Sequence, residues 1–156
     1  MIKTTSARYL EFRIHEFMNG LIFLLELEDI SYEDMETVYA LGYWWFKCGY
    51  YEAAKNIFIR LTAYAPYTAH YWRALGAVNQ QMKDYVEAIA AYDMAIANDE
   101  TNVMSWVFRA ESQILAGNVK AGLYDLEKAA EIGSTYPQFE SWVIRANLLL
   151  RLHKES

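Results

Sequence analysis

The chain has 156 residues, of which 54% are hydrophobic and 16% aromatic, a composition that excludes disorder and suits one domain with a sizeable core. Two prolines, seven glycines and no alternating Val/Ile/Thr segment point to an all-α fold. A net charge of −6 without any basic run argues against a nucleic-acid partner, which would need a basic stripe. Residues 1–5 are expected to fray. From about Ser6 a helix carries Leu10, Ile14, Phe17 and Leu21 on one face, and Asn19-Gly20 marks its stop or a kink. The longest apolar run, Leu21 to Leu25, is far short of the ~20 residues that span a bilayer. It also lacks a small-residue cleavage site, so neither a signal peptide nor membrane insertion is expected. Residues 1–34 form an N-terminal helical arm with two readings. It caps the helices C-terminal to it, or it self-associates through Leu10, Ile14, Phe17 and Leu21 into a homodimer of the free chain, because Phe12, Phe17 and Phe23 exceed the needs of one small cap.

Ser31, with Asp34 three residues on, forms a capping box that starts the next helix. From residue 35 the chain repeats with a period of 34, giving copies at 35–68, 69–102 and 103–136. The middle copy is the clearest. Trp72, Leu75 and Gly76 open one apolar-periodic segment; Tyr85, Ala88, Tyr92 and Ala95 run along a second, broken from the first at Lys83-Asp84. The pattern resembles the helix–turn–helix unit of the tetratricopeptide repeat. Gly76 and Ala88 fall where two antiparallel helices come close, and Asp84 with Glu87 predicts a capping box on the second helix. A shift of 34 gives Val38, Leu41, Gly42, Tyr51, Ala54, Phe58 and Leu61 on one side. On the other it gives Trp106, Arg109, Ala110, Val119, Gly122, Leu126 and Ala129. Arg109 alone breaks the apolar set outright. Asn79 and Gln113 replace an aromatic, and Glu100 and Ser134 stand where the pattern wants the proline that Pro66 supplies.

The first helix of the first copy is the most informative. Val38, Leu41, Gly42 and Trp45 share its packing face, while Tyr39, Tyr43 and Phe46 share a second face roughly 100° away. First helices of stacked repeats line the concave wall, so the equivalent positions Arg73, Ala77 and Gln80, then Val107, Glu111 and Ile114, extend the wall. The expected groove is aromatic, then polar, then aliphatic. Either the aromatic stripe is buried under the arm, or it is an exposed patch that holds an extended peptide, for which tyrosine rings suit.

The order of pieces carries a further resemblance. F-M-N-G-L-I-F-L-L-E-L-E-D-I-S-Y-E-D-M-E-T-V-Y-A-L-G-Y runs into F-K-C-G-Y-Y-E-A-A-K-N-I-F, and Leu75-Gly76-Ala77-Val78-Asn79-Gln80 comes later. Over roughly residues 15 to 132 this is similar to the class II type III secretion chaperones, which serve translocator proteins. The resemblance implies a cytoplasmic bacterial chaperone of a secreted hydrophobic translocator. It also implies a concave surface that holds an extended, proline-containing segment near the translocator's N-terminus, at the matching positions Tyr39, Tyr43 and Phe46. Arg73 and Gln80 are added from the repeat geometry.

Residues 137–156 predict a C-terminal capping helix with Pro137 in its first turn and Phe139, Trp142, Val143 and Ala146 on its apolar face. Arg145, Arg151, His153 and Lys154 place positive charge near its end. No catalytic or metal site is expected. His15, His70 and His153 lack ligand spacing, and no phosphate loop, nucleophile elbow or H-E-x-x-H occurs. The lone Cys48 is expected to be a buried small apolar residue, and a free thiol fits a reducing compartment. With no cofactor expected, two main readings stand: a chaperone of a hydrophobic secreted partner, or a repeat scaffold joining two cytosolic proteins.

Overall fold

In a computed structural model, which describes residues 30–154, the helical chain starts where the sequence places a cap. Ser31 is extended (φ −72°, ψ 159°); its Oγ accepts from the Asp34 N–H at 3.1 Å, and Asp34 Oδ2 accepts the Ser31 N–H at 3.2 Å. Such a reciprocal cap is worth about 1 kcal/mol. The arm residues Leu10, Ile14, Phe17 and Leu21 lie outside the described residues. All regular elements among the described residues are helical. They are α1 (Tyr32–Lys47), α2 (Tyr51–Tyr64), α3 (Ala69–Gln81), α4 (Tyr85–Asn98), α5 (Val103–Leu115) and α6 (Val119–Gly133). A 3-10 turn (Pro137–Phe139) and α7 (Glu140–Lys154) complete the series. Pro137 therefore opens the 3-10 turn, and the α-helix proper begins three residues later.

The helix ends keep the period of the sequence. First helices stop at Lys47, Gln81 and Leu115, and second helices start at Tyr51, Tyr85 and Val119, each 34 residues after the last. Identical turns join them. The N–H groups of Tyr50, Asp84 and Asn118 donate to the carbonyls of Trp45, Asn79 and Gln113 at 3.0, 2.9 and 2.8 Å, closing each first helix. This overturns the expected Asp84–Glu87 capping box. The Asp84 N–H that Glu87 would accept is already spent on Asn79, and the Asp84 backbone (ψ 67°) aims no cap at the helix.

The chain divides after Arg60 into two compact bodies, with α2 crossing the division. In residues 1–60, Val38, Gly42 and Trp45 of α1 are buried together with Ala54, Ile57 and Phe58 of α2. A Cβ on Gly42 would stand 2.8 Å from Ile57 and 2.9 Å from Phe58. In residues 61–156 each helix from α3 onward packs on its successor, and α5 also touches α3 and α7. The first helices thus form one layer in that body. Its far end is a cluster of Val103, Val107, Ala110, Leu126, Ala129, Ala146 and Leu150. Each fully buried aliphatic side chain there contributes about 1.5–3 kcal/mol.

The indole N–H groups add a periodic tie that apolar patterning does not reveal. Trp72 Nε1 donates to the Pro66 carbonyl at 2.7 Å, and Trp106 Nε1 donates to the Glu100 carbonyl at 2.8 Å. Only the carbonyl is used, so Glu100 replaces proline there without losing the contact.

Candidate peptide-binding surfaces

On α1 the second-face residues form a continuous row of rings. Tyr39 stacks on Tyr43 with centroids 6.3 Å apart, and Tyr43 lies 6.1 Å from Phe46. Both ends are anchored. Tyr39 meets Phe58 at 5.8 Å, and Phe46 meets Tyr51 at 5.8 Å. Tyr39 and Phe46 are half-buried, while the middle ring, Tyr43, is 48% exposed. A row braced at its ends and open at its centre is a preorganised apolar surface, and the hydroxyl of the half-exposed Tyr43 can meet a ligand backbone. Trp44 and Tyr50 are also about half exposed, off the expected stripe. They were missed because a search at helical spacing tracks one face at a time.

In the second body, Arg73, Ala77 and Gln80 are half-buried on α3, and a polar ladder runs on from Gln80 across the first-helix layer. The Tyr92 hydroxyl donates to Gln80 Oε1 at 2.9 Å, and Gln80 Nε2 donates to Glu111 Oε2 at 3.4 Å. Arg145 Nε donates to Glu111 Oε1 at 2.7 Å. Burial, reinforced by the Glu111 charge and opposed by Arg73, holds the Tyr92 hydroxyl well above the usual phenol range, so it stays a donor. The guanidinium of Arg145 sits over Phe108 and Trp142, at 5.9 and 5.5 Å from the ring centroids, and Phe108 stacks on Tyr92 at 5.9 Å.

The expected aliphatic far wall is corrected. Val107 is fully buried in the core cluster, because α7 lies against α5 and closes over that position. Ile114 packs onto the same cluster, its Cγ1 2.6 Å from where a Gly122 Cβ would be. Glu111 keeps its place, but as one partner of an ion pair. The residues that replace the aliphatic wall are Phe108, Trp142 and Arg145. One more step of 34 would have found them: Trp142 stands at that interval from Phe108, and Arg145 continues the series Tyr43, Ala77, Glu111. Among the described residues no group of three or more His, Cys, Asp or Glu side chains is arranged to hold a metal ion. None of the described helices is long and apolar enough to cross a membrane.

No protein-family model matches the chain. It is 25% identical over 152 residues to low calcium response locus protein H of Yersinia pseudotuberculosis, covering 97% of this chain and 90% of that protein. It is similar to SycD, the type III secretion translocator chaperone of Yersinia enterocolitica. To the crystal structure described as an alternative dimer, the TM-score is 0.77 at 26% identity, over 83% of this chain and all of that one (100%). To SycD in complex with a peptide of the translocator YopD, the TM-score is 0.77 at 26% identity, over 81% of this chain and 97% of that one.

Proposed function

We propose that this chain, which belongs to the class II type III secretion chaperones, binds a hydrophobic translocator protein in the bacterial cytoplasm and keeps it soluble before secretion. The translocator's extended segment lies on the α1 rings Tyr39, Tyr43 and Phe46. In the second body Arg73, Gln80 and Glu111 offer polar contacts to such a chain, and the small Ala77 lets it approach the helix. The observation that carries this assignment is the half-exposed Tyr43 ring, braced between two partly buried neighbours. A contiguous row of rings, unlike a lone exposed ring, is the kind of apolar patch that marks a binding surface. The likeness to SycD bound to a YopD peptide supports the same assignment. The work is binding, and no catalytic step is assigned to it.

The test is co-expression with the translocator of the same secretion system. The wild-type chain keeps the translocator in the soluble fraction; a scaffold between two soluble proteins would not. Tyr43→Ala weakens an extended translocator peptide by about 1–3 kcal/mol in calorimetry, with little change in melting. If melting collapses and binding survives, Tyr43 belongs to the core and the assignment fails.

A further inference from the structure

Tyr92 is fully buried, and it carries a hydroxyl that packing does not require. One period earlier the same place on the second helix holds Phe58, and one period later Leu126. Both are buried, and neither has a polar side-chain atom. A phenol hydroxyl taken out of water costs free energy unless it is bonded, so volume alone does not account for a tyrosine here. Its partner is equally particular to this repeat. The hydroxyl donates to Gln80 Oε1 at 2.9 Å, and the place of Gln80 is taken by Phe46 and Ile114 in the other two repeats. Hydroxyl and amide occur together in the middle repeat and are absent together from its neighbours.

The same network fixes which way round the amide lies. Glu111, ion-paired with Arg145 through Oε1, only accepts hydrogen bonds, and its Oε2 is 3.4 Å from Gln80 Nε2. The nitrogen end of the amide therefore faces Glu111, and the oxygen end faces the Tyr92 hydroxyl. Of the two hydrogens on Gln80 Nε2, one goes to Glu111; the other meets no acceptor among the described residues. Gln80 is half-buried at the wall position that continues Phe46. We propose that Tyr92 is a positioning residue for the second body's groove: its hydroxyl locks the Gln80 amide so that the spare Nε2 hydrogen meets a main-chain carbonyl of the bound translocator segment. This rests on the proposed function and adds the group that the middle of the wall reads. A free amide turns over and offers oxygen or nitrogen alike. A locked one offers only a donor, and so favours the register of an extended chain that brings a carbonyl to it.

The probe is a fluorescein-labelled synthetic peptide of the translocator's extended segment, titrated by anisotropy into the full-length chain. Tyr92→Phe keeps the ring that stacks on Phe108 and removes only the hydroxyl; it is expected to weaken binding about three- to tenfold. Gln80→Met keeps the length of the side chain without its amide and weakens binding by at least as much. The double variant separates positioning from structure. With the amide gone the hydroxyl has nothing to orient, so Tyr92→Phe adds no further loss in the Gln80→Met background. An equal loss in both backgrounds makes Tyr92 a structural residue and overturns the proposal. Wild-type affinity in either single variant overturns it too. Gln80→Glu keeps a partner for the hydroxyl but offers an acceptor, and is expected to bind as weakly as Gln80→Met; wild-type affinity there means that the segment brings an N–H, and the proposal fails. A peptide that the wild-type chain does not bind overturns the proposed function and this inference together. Loss with Tyr43→Ala but not with Gln80→Met overturns this inference alone. Phe58 shows that a phenyl ring fills the site, and circular dichroism confirms that each variant folds.

Discussion

Lys83 occupies a backbone conformation that its two periodic equivalents give to glycine. Its φ is +65°, against +84° for Gly49 and +90° for Gly117, at the same point in each inter-helix turn. A Cβ in the left-handed region costs roughly 1–2 kcal/mol, of which the extra unfolded-state freedom of glycine takes back part. Lys83→Gly is therefore expected to stabilise the chain by about 0.5–1 kcal/mol, seen as a higher urea midpoint with unchanged slope. A second residue-scale departure is Arg109, which breaks the apolar pattern. The structure supplies its partners. Arg109 donates to both oxygens of Asp125 at 2.7 and 2.8 Å and to Asp93 at 2.6 Å, and its guanidinium lies 4.9 Å from the Trp106 ring centroid. Asp125 is almost fully buried. Asp125→Ala leaves a largely buried cation half-partnered and is expected to cost about 3 kcal/mol in chemical denaturation. The double variant Arg109→Leu with Asp125→Ala copies Leu75 and Ala91, which hold these places one period earlier. It should recover most of the loss. If it does not, the pair contributes more than its own compensation.

The helix pair α3–α4 shows why the repeat tolerates so little at its close-approach sites. A Cβ on Gly76 would stand 2.5 Å from Cε1 of Tyr92. That ring has nowhere to go: it is fully buried, its hydroxyl is bonded to Gln80, and its face stacks on Phe108. Gly76→Leu should abolish cooperative folding, and Gly76→Ala alone should be clearly destabilising. Wild-type melting of the leucine variant would mean that the 34-residue alignment is misplaced. This element scale is where the sequence was most legible. Small residues at Gly42, Gly76 and Ala110 on the first helices, and at Ala54, Ala88 and Gly122 on the second, recur because one packing geometry imposes one volume at each site. Capping was legible at Ser31, where the incoming chain is extended. It was misread at Asp84, where a turn that closes the preceding helix takes the N–H a cap would need. Polar ties were the least legible. The Trp72 and Trp106 indole bonds and the Arg109–Asp125 pair join residues whose side chains look, in sequence, like packing or like an error.

At the scale of the whole chain, the proposed binding surfaces, one in each body, were legible in part. The α1 row needed only helical spacing, since Tyr39, Tyr43 and Phe46 meet along one helix. The far end needed knowledge of what covers α5, and the position of α7 moved Val107 into the core and brought Arg145 to Glu111. Oligomeric state is the remaining property at this scale, and the argument for it comes from the arm. Leu10, Ile14, Phe17 and Leu21 recur at helical spacing, with Ile22, Phe23 and Leu24 directly after them, which spread the apolar residues around more than one face. A cap uses one face. Surplus apolar surface at the end of a repeat array is covered most simply by a copy of itself, in an isologous contact of modest area. Such a contact is only moderately tight, and a hydrophobic partner competes with it for the same side chains. The expected behaviour is a concentration-dependent dimer for the free chain and a one-to-one complex once a translocator is bound. Sedimentation velocity over a concentration series checks it, with the full chain compared against one lacking residues 1–20. Loss of the dimer on truncation, with helicity retained, places self-association in the arm. An unchanged oligomeric state with both proteins folded makes the arm a cap alone.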